Sequence, residues 1–454
     1  MASAHSLRSF MRPTVSTTPR SLARAFTTTP LQSAAQGKSS LPPQKQVQVS
    51  KKHKKPLVRA KAPNPGERKA FRKRIQLSNN SALEVQGTED LQPDTMLKSE
   101  HAGKMFSIPN DMQDKLRTLE AFKTTQSWNL FRKPHILVRQ DLVDLMNKLE
   151  AAKGNQEALR LVLTGTKLSG KSHALLQAML YGMMNNWVVI NIPEAQDLTN
   201  GNTEYTPVPE TSDPYEFIQP VYCYKLLTSI YDANKSVLEG LKLQKDWSAT
   251  TQQKGAGSLA DLIQSAREPD WAWPTFMALW QELQLPGRPP VLFALDGLSH
   301  INKKSDYRDP EFNPVHAHDL VLVRTFVDAL SGKTKLPNGG AVIAATSGNN
   351  RQLQPSQELV LSQLEAGQKG DEVPKPDPYE KGYDERVYDA LKNSTVMRLE
   401  ALSKADARVL MEYWGASGML RRKIDQHTVW SDWALSGHGI VGELERTSLL
   451  TIKM

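Results

Sequence analysis

The chain has 454 residues, of which 39% are hydrophobic and 23% charged, and this length predicts two or three domains or one large domain with tails and insertions. Its single cysteine, Cys223, excludes a disulfide-stapled secreted fold and a zinc-ribbon type of metal site, because each needs several cysteines at short spacings. The sequence contains no apolar run of about 18 residues, so it predicts no membrane-spanning helix.

The net charge of +9 is distributed unevenly along the chain. Residues 1–75 contain 17 Lys or Arg and one acid, Glu67, whereas the remainder contains 40 basic and 47 acidic side chains. A strongly cationic N-terminal segment on a mildly acidic body predicts a polyanionic partner for that segment. Nucleic acid is the polyanion that we expect.

Residues 1–30 have the composition of a mitochondrial transit peptide, because Ser and Thr are frequent, Arg recurs and acids are missing. The segment 24–29 resembles a processing site of the mitochondrial matrix. A secretory signal is not expected, since no continuous apolar segment follows the first charge. The sequence therefore predicts a matrix location, and a disordered basic tail without an address is the alternative.

Residues 31–104 are predicted to form a basic, largely extended arm, because charge this dense with few apolar residues cannot form a core. Two basic clusters in the arm are separated by prolines, and their side chains could neutralise RNA phosphates without reading sequence. A solvated charge run is the alternative. The candidate RNA contacts are Lys51, Lys52, Lys54, Lys55, Arg68, Lys69, Arg72, Lys73 and Arg74.

The folded body is predicted to begin near residue 105. Between about 140 and 350 short apolar runs alternate with helical stretches, which predicts an α/β core with a mainly parallel sheet, assigned to residues 105–385. Residues 352–383 are polar and rich in Pro and Gly, so they are predicted to be an insertion. The region 386–454 is predicted to be mostly helical, with a possible last strand at 395–399. Strands of the core are predicted at 160–164, 187–192, 291–295 and 341–345.

A glycine-rich octapeptide at 165–172, Gly-Thr-Lys-Leu-Ser-Gly-Lys-Ser, lies between the first of these strands and a predicted helix. It satisfies the P-loop pattern, in which backbone N–H groups wrap phosphates and the helix N-terminus adds its dipole. Lys171 would reach the β- and γ-phosphates, and the Ser172 hydroxyl would ligate Mg²⁺. A glycine turn with an unrelated lysine is the alternative. The predicted nucleotide-binding residues are Gly165, Thr166, Lys167, Leu168, Ser169, Gly170, Lys171, Ser172, His173, Asp296 and Thr346.

Two further strand ends complete this predicted site. The strand at 291–295 ends in Asp296, which is placed like a Walker B aspartate, so Ser172 and Asp296 are predicted to hold Mg²⁺, the latter through water. The strand at 341–345 runs into Thr346, whose side chain could touch the γ-phosphate or an attacking water. The arrangement resembles the AAA-like, additional-strand class of P-loop NTPases, whose polar sensor strand lies between the other two. A turn-capping Asp and an ordinary strand-end Thr are the alternatives.

Groups that would promote hydrolysis are missing from the expected positions. In active members of that class a glutamate commonly follows the Walker B aspartate, whereas Gly297 follows here. Gly442 stands where a C-terminal helix of many AAA-type ATPases carries a sensor arginine. Positioning and charge stabilisation dominate phosphoryl transfer, so we expect nucleotide binding with slow or absent turnover. No Asn-Lys-x-Asp element of the right spacing identifies the base, which leaves guanine and adenine open.

Three segments resemble a known family: 163–172, then 187–195 with the sequence Trp-Val-Val-Ile-Asn-Ile-Pro-Glu-Ala, then 294–298 with Ala-Leu-Asp-Gly-Leu. They are similar to the death-associated protein 3 family of mitochondrial small-subunit ribosomal proteins, over roughly residues 105–454. The resemblance implies a structural component of the small-subunit head that holds GTP or GDP without a need for hydrolysis. It implies small-subunit rRNA and neighbouring ribosomal proteins as partners, with a bridge to the large subunit. The N-terminal extension and the 352–383 insertion resemble fungal elaborations.

An enzyme is the competing hypothesis. The chain would then be a matrix AAA-type ATPase or GTPase, or an apoptosis-linked signalling switch, and Glu194, Asp319 or a group from a neighbouring chain would replace the missing base. A nucleotide-free relic, whose glycine-rich loop only packs, is a third possibility.

Overall fold

The computed structural model describes residues 75–209, 215–253, 255, 257–348 and 354–450. The predicted transit peptide and all nine candidate RNA contacts lie outside the described residues. None of the described helices combines the length and the apolar composition of a membrane span.

Strands and helices alternate through the described chain. The strands are β1 (Lys104–Ser107), β2 (His135–Val138), β3 (Ala158–Thr164), β4 (Val188–Ile192), β5 (Thr206–Pro207), β6 (Phe217–Ile218), β7 (Val291–Asp296), β8 (Lys304–Arg308), β9 (Pro314–His316), β10 (Gly340–Ala345) and β11 (Thr395–Arg398). The α-helices are α1 (Pro93–Leu97), α2 (Asn110–Thr118), α3 (Gln140–Asn155), α4 (Lys171–Met184), α5 (Gln196–Thr199), α6 (Pro220–Glu239), α7 (Leu259–Ser265), α8 (Ala272–Leu283), α9 (Val321–Ser331), α10 (Pro355–Lys369), α11 (Glu385–Leu391), α12 (Lys404–Ala416), α13 (Gln426–Leu435) and α14 (Val441–Glu445).

Five parallel strands form the central sheet, in the order β11-β3-β10-β7-β4. The predicted α/β class, the four predicted core strands and the possible last strand are therefore confirmed. β10 lies between β3 and β7, which is the predicted place of the strand that precedes Thr346. Because all five strands run in the same direction, their carboxyl ends and the loops that follow meet at one edge, where ligands of open α/β sheets bind.

Both faces of this sheet are covered by helices, as parallel sheets require. Side chains alternate along each strand, so that Leu292 and Ala294 of β7 pack into the layer that contains α3 and α4. Val291, Phe293 and Leu295 face the opposite layer, which is built from α6 to α11. Continuous apolar runs such as 291–295 therefore reflect burial on both faces.

A third apolar cluster joins the N-terminal hairpin to the C-terminal helices. β1 pairs antiparallel with β2 ahead of the sheet. Leu137 of β2 belongs to the same buried cluster as Leu402, as Met411 and Trp414 of α12, and as Leu444 of α14. The C-terminal region is mostly helical, and its first part lies against the end of β3, where the Leu399 amide donates to the Thr164 carbonyl at 2.9 Å.

The packed body begins upstream of residue 105. Leu77, Leu91 and Met96 are buried in the layer that contains α3 and α4, although they fall in the segment 31–104 that was expected to be an extended arm. The high average charge of the segment hides the few apolar residues at its C-terminal end. Those residues are enough to attach this part of the chain to the core.

The predicted insertion at 352–383 also contributes to the core. It contains α10, whose Val360 and Leu361 are buried against the layer of α6 to α11. Residues 371–383 that follow are exposed, and they return along α10 to a hydrogen bond between the Asp384 amide and the Ser356 hydroxyl. Only this returning half has the character of an insertion.

Candidate functional site

The loop at 165–172 lies where β3 ends and α4 begins, at the carboxyl edge of the sheet. Gly165 and Gly170 have φ angles of 138° and 102°, a region that other residues rarely adopt. A Cβ atom on Gly165 would also lie 2.8 Å from the Leu399 carbonyl oxygen. Both glycines are therefore required by the backbone path. Leu168 adopts a φ of 64°, a conformation that costs a non-glycine residue roughly 1–3 kcal/mol.

Lys171 spans the loop that precedes it. Its Nζ donates hydrogen bonds to the carbonyl oxygens of Gly165, at 3.0 Å, and Thr166, at 2.7 Å. Burial lowers the pKa of this ammonium to about 8, and the nearby Asp296 carboxylate opposes the shift. The ammonium is held at the mouth of the loop, where it can meet a bound anion.

Ser172 and Asp296 are joined by the fold, as the predicted metal pair requires. The Ser172 hydroxyl donates to Oδ2 of Asp296 at 2.6 Å, across 124 positions of sequence. Ser172 opens α4 and Asp296 ends β7, so the contact depends on the order of strands in the sheet. Among the described residues no cluster of three or more His, Cys, Asp or Glu could hold a metal ion, so any cation here would rest on this pair and on its ligand's own oxygens.

Gly297 occupies the position where an active enzyme of the predicted class would carry a glutamate. Its φ is 96°, and an added Cβ atom would lie 3.2 Å from Cδ2 of His300. A glutamate at this position would be strained by the backbone as well as crowded by His300. The backbone itself therefore selects glycine here.

The two alternative bases lie in different places. Glu194 follows β4 and lines the cavity described below. Asp319 forms ion pairs with Arg324 and Arg386 and is not part of that cavity's wall. Of the two, only Glu194 is placed to face a ligand of the 165–172 loop.

Thr346 reaches the predicted position, but its hydroxyl has a structural partner. Its Oγ1 donates to the Leu163 carbonyl at 3.2 Å, and its amide donates to the same oxygen at 3.0 Å. The side chain thus ties the end of β10 to the end of β3. Thr346 still lines the cavity, next to Ser347 and Gly348.

His173 is enclosed by groups that the sequence did not single out. Its imidazole stacks on Trp128, with ring centroids 5.3 Å apart and planes 8° from parallel. Burial lowers the pKa of His173 to about 4, and the Arg139 guanidinium adds to the shift. Arg139 also donates to the carbonyl oxygens of Ser169, at 3.3 Å, and Glu400, at 2.6 Å. This arginine joins the loop to the segment after β11.

Lys123 is a second lysine in the site and was missed by sequence reasoning. Its Nζ lies 3.2 Å from Oδ2 of Asp296 and also donates to the Pro193 carbonyl. It lies in the connection between α2 and β2, which matches no motif. A buried carboxylate such as Asp296 needs a nearby cation, and this need could have pointed to a lysine. Which lysine supplies the charge can be seen only from the three-dimensional arrangement of the strand ends.

A cavity of about 470 Å³ opens above the loop, within the range of small-molecule sites. One wall consists of strand ends and the 123–128 segment. The other wall consists of C-terminal residues, among them Leu402, Leu410, Tyr413, Trp414, Val441, Gly442 and Glu445. The loop end of the cavity is polar and cationic, whereas the far end is largely aromatic and aliphatic.

Gly442, at the start of α14, contacts the 165–172 loop directly. Its amide donates to the Leu168 carbonyl at 3.1 Å, and an added Cβ atom would lie 2.8 Å from Cβ of Leu168. A sensor arginine at this position, as carried by the enzymes of the predicted class, would displace the loop. The close contact between residue 442 and Leu168 therefore explains why this position carries glycine and not arginine.

Fold and site together define an α/β protein with a glycine-rich loop at the start of a helix and an acid at a neighbouring strand end. The family described as "Mitochondrial ribosomal death-associated protein 3" matches residues 136–447. The chain belongs to this family, which confirms the resemblance seen in its sequence. Membership of a mitochondrial family also confirms the predicted mitochondrial location.

Individual relatives agree with this membership. The chain is 46% identical over 475 residues to "Small ribosomal subunit protein mS29" of Neurospora crassa, a match that covers 100% of both chains. A protein of the same name from Schizosaccharomyces pombe is 26% identical and covers 77% of this chain and 72% of the relative. The protein of that name from Bos taurus is 20% identical over 52% of this chain and 59% of its own length.

Proposed function

We propose that this chain is a structural component of the small subunit of the mitochondrial ribosome, and that it holds a purine nucleotide with Mg²⁺ in the 165–172 loop with little or no hydrolysis. The ribosomal role is supported by the family and by the full-length similarity to a relative named as a small-subunit protein. A position in the head of the subunit, contacts with rRNA and a bridge to the large subunit are parts of the same proposal.

The nucleotide proposal rests on one observation above all: Ser172, Asp296 and Lys171 converge at the mouth of a 470 Å³ cavity in front of a helix N-terminus. In this geometry the amide groups of the loop and of the first turn of α4 would bind phosphate oxygens. Lys171 would neutralise the terminal phosphates, and Ser172 with Asp296 would hold Mg²⁺, which supplies further positive charge to them. The aromatic and aliphatic end of the cavity would receive the base.

Weak turnover is supported by the identity of residue 297. Gly297 offers no carboxylate to orient a water molecule, and Gly442 leaves no space for a cationic side chain beside the loop. Catalysis of phosphoryl transfer depends on such groups. GTP or GDP is the nucleotide that we propose, with ATP as the alternative, and this choice rests on the family resemblance.

Two linked measurements test the proposal. Mitochondrial lysate is sedimented through sucrose, and the nucleotide carried by the purified protein is extracted and identified. We expect sedimentation with the small subunit and a stoichiometric guanine nucleotide. A protein that sediments free of ribosomes, or that carries no nucleotide, would contradict the corresponding half of the proposal.

A hydrolytic role is the second candidate, and the placement of Glu194 on the cavity wall favours it over other enzymatic readings. In that case Glu194 would orient the attacking water in place of the missing glutamate. Steady-state turnover of ATP or GTP by the purified chain, abolished by Glu194→Gln with binding intact, would establish it. Equal, negligible turnover in both proteins would exclude it.

A further inference from the structure

The ion pair between Lys123 and Asp296 places a positive charge next to the carboxylate that a bound Mg²⁺ would otherwise neutralise. Nζ of Lys123 is 3.2 Å from Oδ2 of Asp296, and the same oxygen accepts the Ser172 hydroxyl at 2.6 Å. Both side chains are largely enclosed, with 16% of the lysine and 14% of the aspartate exposed. A pair this well shielded from water and salt is screened less than a surface pair.

The position of Lys123 is fixed by the packing of its neighbours. Nδ2 of Asn191 in β4 donates to the Leu119 carbonyl at 2.8 Å, which attaches the segment to the sheet. Phe122 is buried against the edge of Trp128, with ring centroids 5.2 Å apart. Trp128 in turn stacks on His173 at the start of α4. The segment that carries Lys123 is therefore a packed part of the site.

The charges at this edge of the sheet explain why such a cation matters. Asp296 lies beside the loop, so a bound diphosphate would bring several negative charges close to its carboxylate. In metal-dependent sites a divalent cation between carboxylate and phosphates removes this repulsion. Lys123 already neutralises the carboxylate, because its ammonium lies on the same oxygen. Lys171 acts on Asp296 as a nearby charge, but its Nζ donates its hydrogen bonds to the two loop carbonyls.

We propose that Lys123 is a built-in counter-ion of Asp296 that allows the chain to retain its nucleotide when Mg²⁺ is absent. Mg²⁺ bound at Ser172 and Asp296 would take over the charge that Lys123 already supplies, so that it adds little to affinity. The inference rests on the proposed nucleotide site and deepens it by assigning a positioning and charge-neutralising role to a residue outside the 165–172 motif. Loss of Lys123 would convert the site into one that depends on Mg²⁺, because the carboxylate would then repel the phosphates unless a metal replaced the lost charge.

The test measures the affinity of the full-length, nucleotide-stripped chain for GDP, with ADP in parallel, in excess Mg²⁺ and in excess EDTA. For the unaltered protein we expect dissociation constants within about threefold of one another in the two buffers. For Lys123→Met we expect a loss on the order of 10- to 100-fold in EDTA that is largely restored by Mg²⁺. Lys123→Arg, which keeps the charge, should behave like the unaltered protein.

Lys148→Met on the exposed face of α3 is the matched control and should change neither value. Thermal unfolding of each variant without ligand verifies that it folds. An equal loss of affinity by Lys123→Met in both buffers, or no loss in either, would overturn the counter-ion role. Strong Mg²⁺ dependence of the unaltered protein would overturn it without any variant. Failure of the unaltered protein to bind either nucleotide in both buffers would instead overturn the proposed function, and this inference with it.

Discussion

At the level of single residues, the site depends on a few side-chain contacts, and single substitutions can distinguish their separate roles. Lys171, Ser172 and Asp296 were expected from motif spacing, and the structure brings them together. Lys123 and Trp128 occupy the same site without any motif. Each group has a different role, so their removal should have different signatures.

Lys171→Ala should abolish retention of nucleotide by the purified protein. The substitution removes the ammonium that is held at the mouth of the loop and leaves the Gly165 and Thr166 carbonyls without that donor. The measurement is the nucleotide content of the purified protein, with Lys148→Ala as a surface control. Unchanged nucleotide content in Lys171→Ala would refute the assignment of the phosphate site.

Gly442→Ala should weaken the closure of the C-terminal helix over the loop. The added methyl group would lie 2.8 Å from Cβ of Leu168, so either the loop or α14 has to move. We expect a lower melting temperature and weaker GDP binding. Gly367→Ala in α10 is the matched control, since nothing lies within 4 Å of its added methyl group. There, helix propensity predicts no loss, or a gain of roughly 0.5–1 kcal/mol. Equal effects of the two substitutions would contradict the proposed contact.

His318 should make the protein less stable in mild acid. Burial lowers its pKa to about 3, and His316, Arg386, Arg324 and Lys333 all act in the same direction. Between this value and about 6.5 the unfolded chain binds a proton at this position that the folded chain does not. Stability therefore falls as the pH is lowered through that window, by up to about 1.4 kcal/mol per pH unit.

His318→Gln provides the comparison for this effect. A glutamine can keep the hydrogen bond that His318 makes with Oδ1 of Asn302, at 3.2 Å, but it does not titrate. Denaturant unfolding at a series of pH values should give a shallower dependence for the variant between pH 6.5 and 4. If the free energy of unfolding changed equally with pH in both proteins, His318 would not contribute to the loss of stability in acid.

At the scale of elements, α10 and the segment that follows it should differ sharply in their tolerance of change. Leu361→Ala removes a buried side chain from the layer of α6 to α11 and should cost about 2–5 kcal/mol. Replacement of residues 372–381 by a Gly/Ser sequence of equal length should leave the melting temperature almost unchanged, because those residues are exposed. Urea unfolding of both variants makes the comparison. A large loss from the Gly/Ser replacement would show that the returning segment is also part of the fold.

Elements that depend on interactions between residues close in sequence could be predicted from the sequence, whereas those that depend on contacts between distant residues could not. Strands such as 291–295 were predictable because burial on both sides of a sheet requires an uninterrupted apolar run. The loop at 165–172 was predictable because backbone conformation demands its glycines locally. α10 was not, since three buried apolar residues, Val360, Leu361 and Ala366, among polar neighbours leave a weak pattern. Lys123 was not, because its partner Asp296 is brought close only by the tertiary fold.

At the scale of the whole molecule, charge divides the chain into two parts. The nine candidate RNA contacts stay a prediction, since they precede the described residues. Deletion of residues 51–74 should weaken association with small subunits, and the ratio of the affinities of the full and truncated chains should fall as salt is raised, because the truncated chain neutralises fewer phosphates and so has the shallower salt dependence. Co-sedimentation across a salt series measures this. A truncated chain that sediments as well as the full chain at every salt concentration would contradict a role for the arm.

The hydrogen bond between the Gly442 amide and the Leu168 carbonyl has a consequence for how the protein is made. The loop leaves the synthesising ribosome long before the helix that covers it. At about 5–20 residues per second, the intervening segment takes roughly 15–55 s to be added. Until then the C-terminal wall of the cavity is incomplete. A product of a broken message that stops before residue 441 lacks Val441, Gly442 and Glu445, which include the contact that closes the wall onto the loop. Closure of the cavity thus distinguishes a finished chain from an unfinished one.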